Sequence, residues 1–176
     1  MSDKDYTLVV PEPSIENEGK VQYLLIVLAD REYGIRLDTL QEVLRYNVSA
    51  VAPIPNTPDW LQGIFSLRGQ IVSVVNLRLF LGLLAPPVKP KPLSGVGAIM
   101  PRLLILHSGE LWVGVIVEDI RGVLFVNPDV IQHGTEVSYL EGAYQEFDDT
   151  DNVVWLFDTN RLLNSAEMLA FEPLPL

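Results

Sequence analysis

Few side chains in this sequence have the types and spacing to do chemistry. His107 and His133 stand in separate turn-like segments. A zinc-type site needs three or four ligands, often with a histidine pair at i, i+4, and neither condition is met. The stretch "EFDDTDN" at 146–152 invites a calcium loop beginning at Asp149. The template then requires glycine at 154 and glutamate at 160, where Val154 and Asn160 stand. A solvated hairpin tip is the better reading. "GVGAIM" at 95–100 imitates part of a dinucleotide fingerprint, but Met100 fills the third glycine position and Pro101 follows. Ser66, Ser73 and Ser108 lie in no G-x-S-x-G elbow. No carboxylate pair has an apolar setting that would tune an acid and a base apart. With no cysteine in the chain, thiol catalysis, disulfides and thiolate metal ligation are excluded. The expectation is a protein with no catalytic residues, no metal and no cofactor.

One pair of charges remains. Arg68 sits in "SLRGQ" within an otherwise apolar hairpin, and Glu42 sits in "LQEVL" within an otherwise apolar turn. A charge in apolar surroundings is costly unless paired, so the two are candidate partners. The pair reads in two ways. It is a structural salt bridge that fixes the local fold, or a paired charge at a recognition surface that steers and registers a partner.

The elements that must position these residues are mostly strands. "VQYLLIVLA" and "EYGIRL" suit two β-strands joined around Asp30-Arg31. "DTLQEVLRY" at 38–46 has apolar residues at 40, 43 and 44, the spacing of a short amphipathic helical turn, with Asp38 as its cap. "VAPIPNTPDW" carries three prolines and cannot stay regular for long. "GIFSL" and "QIVSVVNL" flank Arg68-Gly69 as a tight hairpin, with Gly69 free to take positive φ. "RLFLGL" then stops at Gly82.

The second half restarts with "RLLILH", "ELWVGVIV" and "IRGVLFV", the first two joined at "HSGE". "NPDVI" is a turn by composition. "GAYQEF" and "VVWLF" form another hairpin, and "DTNRLLNSAEMLAF" has helical spacing with Asp158 and Ser165 as candidate caps. The implied division is a flexible acidic arm at 1–20, a first half at 21–84, a Pro/Gly-rich connecting loop at 85–100, a second half at 101–164, and a C-terminal helix and tail at 165–176. Short strands with glycine turns and no long intervening helices favour small barrels over a parallel α/β sheet.

Charge and hydropathy narrow the partners. The 176 residues carry 12 basic and 23 acidic side chains, a net charge of −11, which opposes nucleic acid and anionic lipid and permits a basic protein partner. An apolar share of 48 % supplies a substantial interior. The longest apolar runs, such as "YLLIVLA" at 23–29, fall far short of the roughly 20 residues of a spanning helix. No secretory signal pattern opens the chain. A soluble cytoplasmic protein without direct membrane insertion is expected.

"EYGIRLDTLQEV", "IPNTPDWLQGIFSLRGQIVSVVNLRLFLGL", "WVGVIVEDIRGVLFV", "YLEG" and "VVWLFDTNRLLN" stand in the order found in CheW-like coupling proteins of bacterial chemotaxis. The resemblance spans roughly residues 20–165 and includes a G-x-x-x-x-R-G core from Gly63 to Gly69. It implies a mainly β fold of two small SH3-like five-stranded β-barrels packed on a shared core, with short helices. It implies a scaffold and no enzyme, bridging the regulatory domain of a CheA-type histidine kinase and the cytoplasmic tip of a chemoreceptor in membrane-associated arrays. The family's glutamate and arginine match Glu42 and Arg68, and Leu40, Val43, Gly63 and Gly69 are the further candidate contacts. Two positions depart from the family pattern "P-V-I-D-L", with Ser73 and Asn76 in place of its proline and aspartate. A rival reading is a barrel that binds a small molecule or peptide, with a deep pocket lined by Trp60, Trp112 or Trp155. The plainer account of those tryptophans is core or interlobe packing.

Overall fold

A computed structural model of the chain describes residues 15–83, 101–134, 136–145, 152–165 and 168. Most of the expected N-terminal arm, the connecting loop at 85–100, the acidic tip at 146–151 and most of the C-terminal tail lie outside the described residues. The strands are β1 (Val21–Leu28), β2 (Arg31–Arg36), β3 (Leu40–Arg45), β4 (Leu61–Leu67) and β5 (Gln70–Asn76), followed by the short helix α1 (Leu77–Phe80). Then come β6 (Arg102–Ser108), β7 (Leu111–Val117), β8 (Asp119–Val126), β9 (Leu140–Gln145), β10 (Val153–Phe157) and the short helix α2 (Thr159–Leu163).

The strands form two five-stranded sheets, ordered β8-β1-β2-β10-β9 and β3-β6-β7-β5-β4. The β2–β10 and β5–β7 pairs are parallel and the others antiparallel. Each sheet therefore takes strands from both sides of the proline-rich connector. The chain crosses between sheets after β2, through a 3-10 turn at Leu37–Thr39, and again at Glu118 between β7 and β8.

The same local devices recur in both halves. Asn47 and Asn127 cap 3-10 turns at Val48–Ala50 and Pro128–Val130, accepting from Ser49 N at 3.0 Å and Asp129 N at 3.1 Å. Each turn is followed by an isolated bridge, Ala52 with Ile64 and Gln132 with Ala143. Beside each bridge a side chain is forbidden. A Cβ at Gly63 would lie 2.1 Å from the Ala52 carbonyl oxygen, and one at Gly142 would lie 2.6 Å from that of Gln132. Asn76 and Asp158 then cap α1 and α2. A repeat too faint to read in residue identity is thus plain in the placement of caps, bridges and glycines.

Alternation along the strands sorts the apolar residues into three clusters. Tyr23, Val126, Ile131, Val154 and Leu156 fill the first barrel. Val74, Leu103, Ile105 and Ile116 fill the second. The opposite faces of the same strands, including Leu24, Ile26, Leu28, Val75, Leu104, Leu106, Val115 and Phe157, meet in a shared core between the barrels. Burial on both faces is why "YLLIVLA" and "RLLIL" read as continuous apolar runs.

Two expectations change. Residues 40–45 are strand β3, and Asp38 lies inside the preceding 3-10 turn and pairs with Arg36 instead of capping a helix. The cause is a register shift between Leu40 and Glu42. The extra residue puts Leu40 and Val43 on one side, against the shared core, while Leu44 faces the second barrel. A bulged strand thereby imitates helical spacing. The β1–β2 turn lies one residue earlier than expected, with Ala29 and Asp30 at φ 49° and 60°. The tryptophans take the packing role that was the plainer account of them. Trp60 and Trp155 pack against the shared core, Trp60 edge-on to Phe80 at 5.2 Å, and Trp112 packs against the second barrel's interior.

Candidate functional site: the seam of the second barrel

β3 and β4 are the two edges of the second sheet. Curling of the sheet brings them round one interior, because Leu44 on β3 and Phe65 and Leu67 on β4 pack on the same buried cluster. Where the edges approach, Arg68 Nη2 donates to Glu42 Oε1 at 3.1 Å. The two charges singled out in the sequence are therefore partners.

The arginine is not buried. Its side chain is 75 % exposed against 27 % for Glu42, so the pair stands at the surface with the guanidinium outermost. Arg68 and Gly69 form the two-residue β4–β5 turn with φ 51° and 85°. Such turns favour Asn-Gly, and a side chain other than Gly or Asn in this left-handed region costs about 1 kcal/mol. An exposed ion pair returns only about 0–1 kcal/mol. Stability alone does not explain an arginine here.

The remaining candidates divide. Gly69 is exposed and belongs to the same turn. Leu40 and Val43 share β3 with Glu42 but are partly buried against the shared core. Gly63 is buried at φ 141°, and the close approach it permits is to its own chain at Ala52 and Pro53. Asn76 keeps hydrogen-bonding capacity at its departure from the family pattern, accepting from Leu79 N at 3.2 Å as the cap of α1.

A polar cleft of about 500 Å³ lies elsewhere, lined among others by Arg36, His133, Glu141, Asp158, Asn160 and Arg161. No tryptophan lines it, and its cations are committed: Arg36 to Asp38 at 2.7 Å and Arg161 to Asp158 at 3.0 Å. Sequence reading missed this cleft because its lining comes from β2, the β8–β9 loop, β9 and α2, with no local motif. Among the described residues no cluster of three His, Asp or Glu side chains could hold a metal ion, and no helix is long and apolar enough to cross a membrane.

A family model for the CheW-like domain matches residues 22–167. The chain belongs to this family. Chemotaxis protein CheW of Klebsiella aerogenes is 28 % identical over 153 residues, covering 84 % of each chain. That of Treponema pallidum is 25 % identical over 162 residues and covers 89 % of each. Protein FrzA of Myxococcus xanthus is 23 % identical over 156 residues, covering 85 % of this chain and 89 % of its own. The crystal structure of the scaffolding protein TtCheW from Thermoanaerobacter tengcongensis superposes with a TM-score of 0.66 at 21 % identity, over 84 % of this chain and 95 % of that one. This CheW-like chain therefore has the expected mainly β fold of two SH3-like five-stranded barrels on a shared core.

Proposed function

We propose that this CheW-like chain is a non-enzymatic scaffold that couples chemoreceptor signalling tips to a CheA-type histidine kinase, in chemotaxis or a related motility pathway. Membership of the family over residues 22–167 supports the class of function. The observation that carries the reading to a surface is the exposed Arg68, held in a left-handed turn and registered by Glu42. The contact with Glu42 gives its cation a preferred direction before any partner arrives, which lowers the ordering cost of a charge-guided contact.

In this reading Glu42 and Arg68 form the charged part of a docking face on the second barrel, Gly69 leaves room for close approach beside them, and the edges of Leu40 and Val43 supply apolar contact. Gly63 acts indirectly by closing the strand that carries the turn. The kinase's regulatory domain and the receptor's helical tip dock on separate faces. Each contact is weak, and an array gains strength from many simultaneous links. The protein works in the cytoplasm and reaches the membrane through the receptors it binds.

The test is reconstitution with a CheA-type kinase and membranes bearing a chemoreceptor. The expected result is that the kinase sediments with the membranes only when this protein is present, and that its autophosphorylation then responds to receptor ligand. Kinase and receptor that ignore the protein at array-like concentrations would overturn the proposal.

A further inference from the structure

The two barrels are joined by two crossings that are built differently. At the first, Asp38 pairs with Arg36, two residues away on the same stretch of chain. At the second, a single residue separates β7 of one barrel from β8 of the other, and that residue is Glu118. Its backbone N–H donates to Val27 O at 3.2 Å. One carboxylate oxygen, Oε2, accepts from the backbone N–H of Ala29 at 2.9 Å, in the β1–β2 turn of the first barrel. The other, Oε1, lies 3.1 Å from Nε of Arg78 on α1, which follows β5 of the second barrel. Arg78 in turn donates through Nη1 to Leu83 O at 3.3 Å.

We propose that Glu118 is a latch that fixes the angle between the two barrels. It engages both barrels at once, through a charge-assisted bond on each oxygen, and it does so at the shortest connection between them. Ala29 is held at φ 49°, a left-handed conformation uncommon for alanine, and the carboxylate on its N–H secures that turn. Among the described residues the first crossing carries no such side-chain bridge, so a broken latch leaves the angle to the shared apolar core and the Asn164–Ser108 hydrogen bond, which permit small shifts about residues 37–39 with each barrel's own ladder intact. The inference concerns the fold's internal geometry and does not depend on which partners dock.

The absence of cysteine in the chain makes the test clean. Val48 and Val130 are 68 % and 51 % exposed and lie on 3-10 turns of the second and first barrel. Spin labels on Val48→Cys and Val130→Cys in the full chain report the distance between barrels. A narrow distribution is expected with the latch intact. Glu118→Leu, which removes both bonds, broadens it most. Arg78→Met keeps the aliphatic stem and broadens it less. Glu118→Gln keeps a neutral acceptor for Ala29 and resembles Arg78→Met. In Glu118→Leu the Ala29 amide also exchanges with solvent on the order of tenfold faster. An unchanged distance distribution in Glu118→Leu and Arg78→Met overturns the proposal, even if Ala29 exchanges faster, because Glu118 then only caps a turn. Should Glu118→Leu fail to fold, Arg78→Met and Glu118→Gln decide the matter alone.

Discussion

Arg68 Nη2 and Glu42 Oε1 lie 3.1 Å apart across the seam where the two edge strands of the second barrel meet. The pair is exposed on its arginine side, so its removal costs little stability. Arg68→Glu is expected to destabilise the protein by no more than about 1 kcal/mol, a fall of roughly 2–4 °C at this size. The same substitution is expected to abolish kinase recruitment to receptor membranes. Calorimetry and the sedimentation assay separate the two effects. The double exchange Arg68→Glu with Glu42→Arg restores the ion pair and its small stability increment but presents reversed charges, so recruitment stays lost. Recovery of recruitment by the double exchange would mean that the pair acts only through the fold.

Arg68→Asn tests the same residue from the opposite side. Asparagine is at ease in the left-handed first position of an Asn-Gly turn, where arginine at φ 51° is strained. Relief of about 1 kcal/mol offsets or exceeds the loss of the ion pair. The expected outcome is a melting temperature equal to or above that of the wild type, together with weakened recruitment. A clear loss of stability would show that Glu42 depends on the arginine for its place in the seam.

Much of this was legible in the sequence, and the parts that were not have physical causes. The Arg68-Gly69 hairpin was readable because a two-residue loop with glycine second leaves few alternatives. The partnership of Glu42 with Arg68 was readable because each was the lone charge in an apolar window. The identity of β3 was hidden by the register shift between Leu40 and Glu42, which gave a strand helical spacing. The exchange of strands between halves was hidden because inner strands such as β1, β6 and β7 are apolar on both faces, so pattern alone does not say which neighbour they join. The Glu118 latch was hidden because its partners, Ala29 and Arg78, are 89 and 40 positions away with no motif linking them.

The two glycines beside the isolated bridges should rank differently from the turn glycine. Gly63→Ala places a Cβ 2.1 Å from the Ala52 carbonyl oxygen and also demands φ 141° from an alanine. Gly142→Ala meets the Gln132 carbonyl at 2.6 Å. Both clashes are with backbone, which cannot swing away, so losses of about 3 kcal/mol or more are expected at Gly63 and slightly less at Gly142. Gly69→Ala meets no atom within 4 Å and bears only the strain of φ 85°, about 1 kcal/mol. Urea unfolding of the three variants gives the order directly. A Gly63→Ala protein as stable as Gly69→Ala would contradict the close packing at Ala52.

Tyr23 sets the behaviour at high pH. Its phenol is fully buried and donates to Glu141 Oε2 at 2.7 Å. Burial first, then the hydrogen bond and the negative charge of Glu141, raise its pKa far above the ordinary tyrosine value. A folded-state pKa raised above the unfolded one means that the native protein keeps a proton which the unfolded chain gives up. The associated stability is complete below the unfolded value of about 10 and is lost as pH rises beyond it, at up to about 1.4 kcal/mol per pH unit for this group. Tyr33 and Tyr46 are shifted the same way by burial and add to the slope. Tyr23→Phe is therefore expected to cost about 1 kcal/mol at pH 7 through the lost hydrogen bond, and to make stability fall less steeply above pH 10. Chemical unfolding at a series of alkaline pH values measures that slope. Equal slopes for the variant and the wild type would show that Tyr23 ionises in the folded protein as readily as in the unfolded chain.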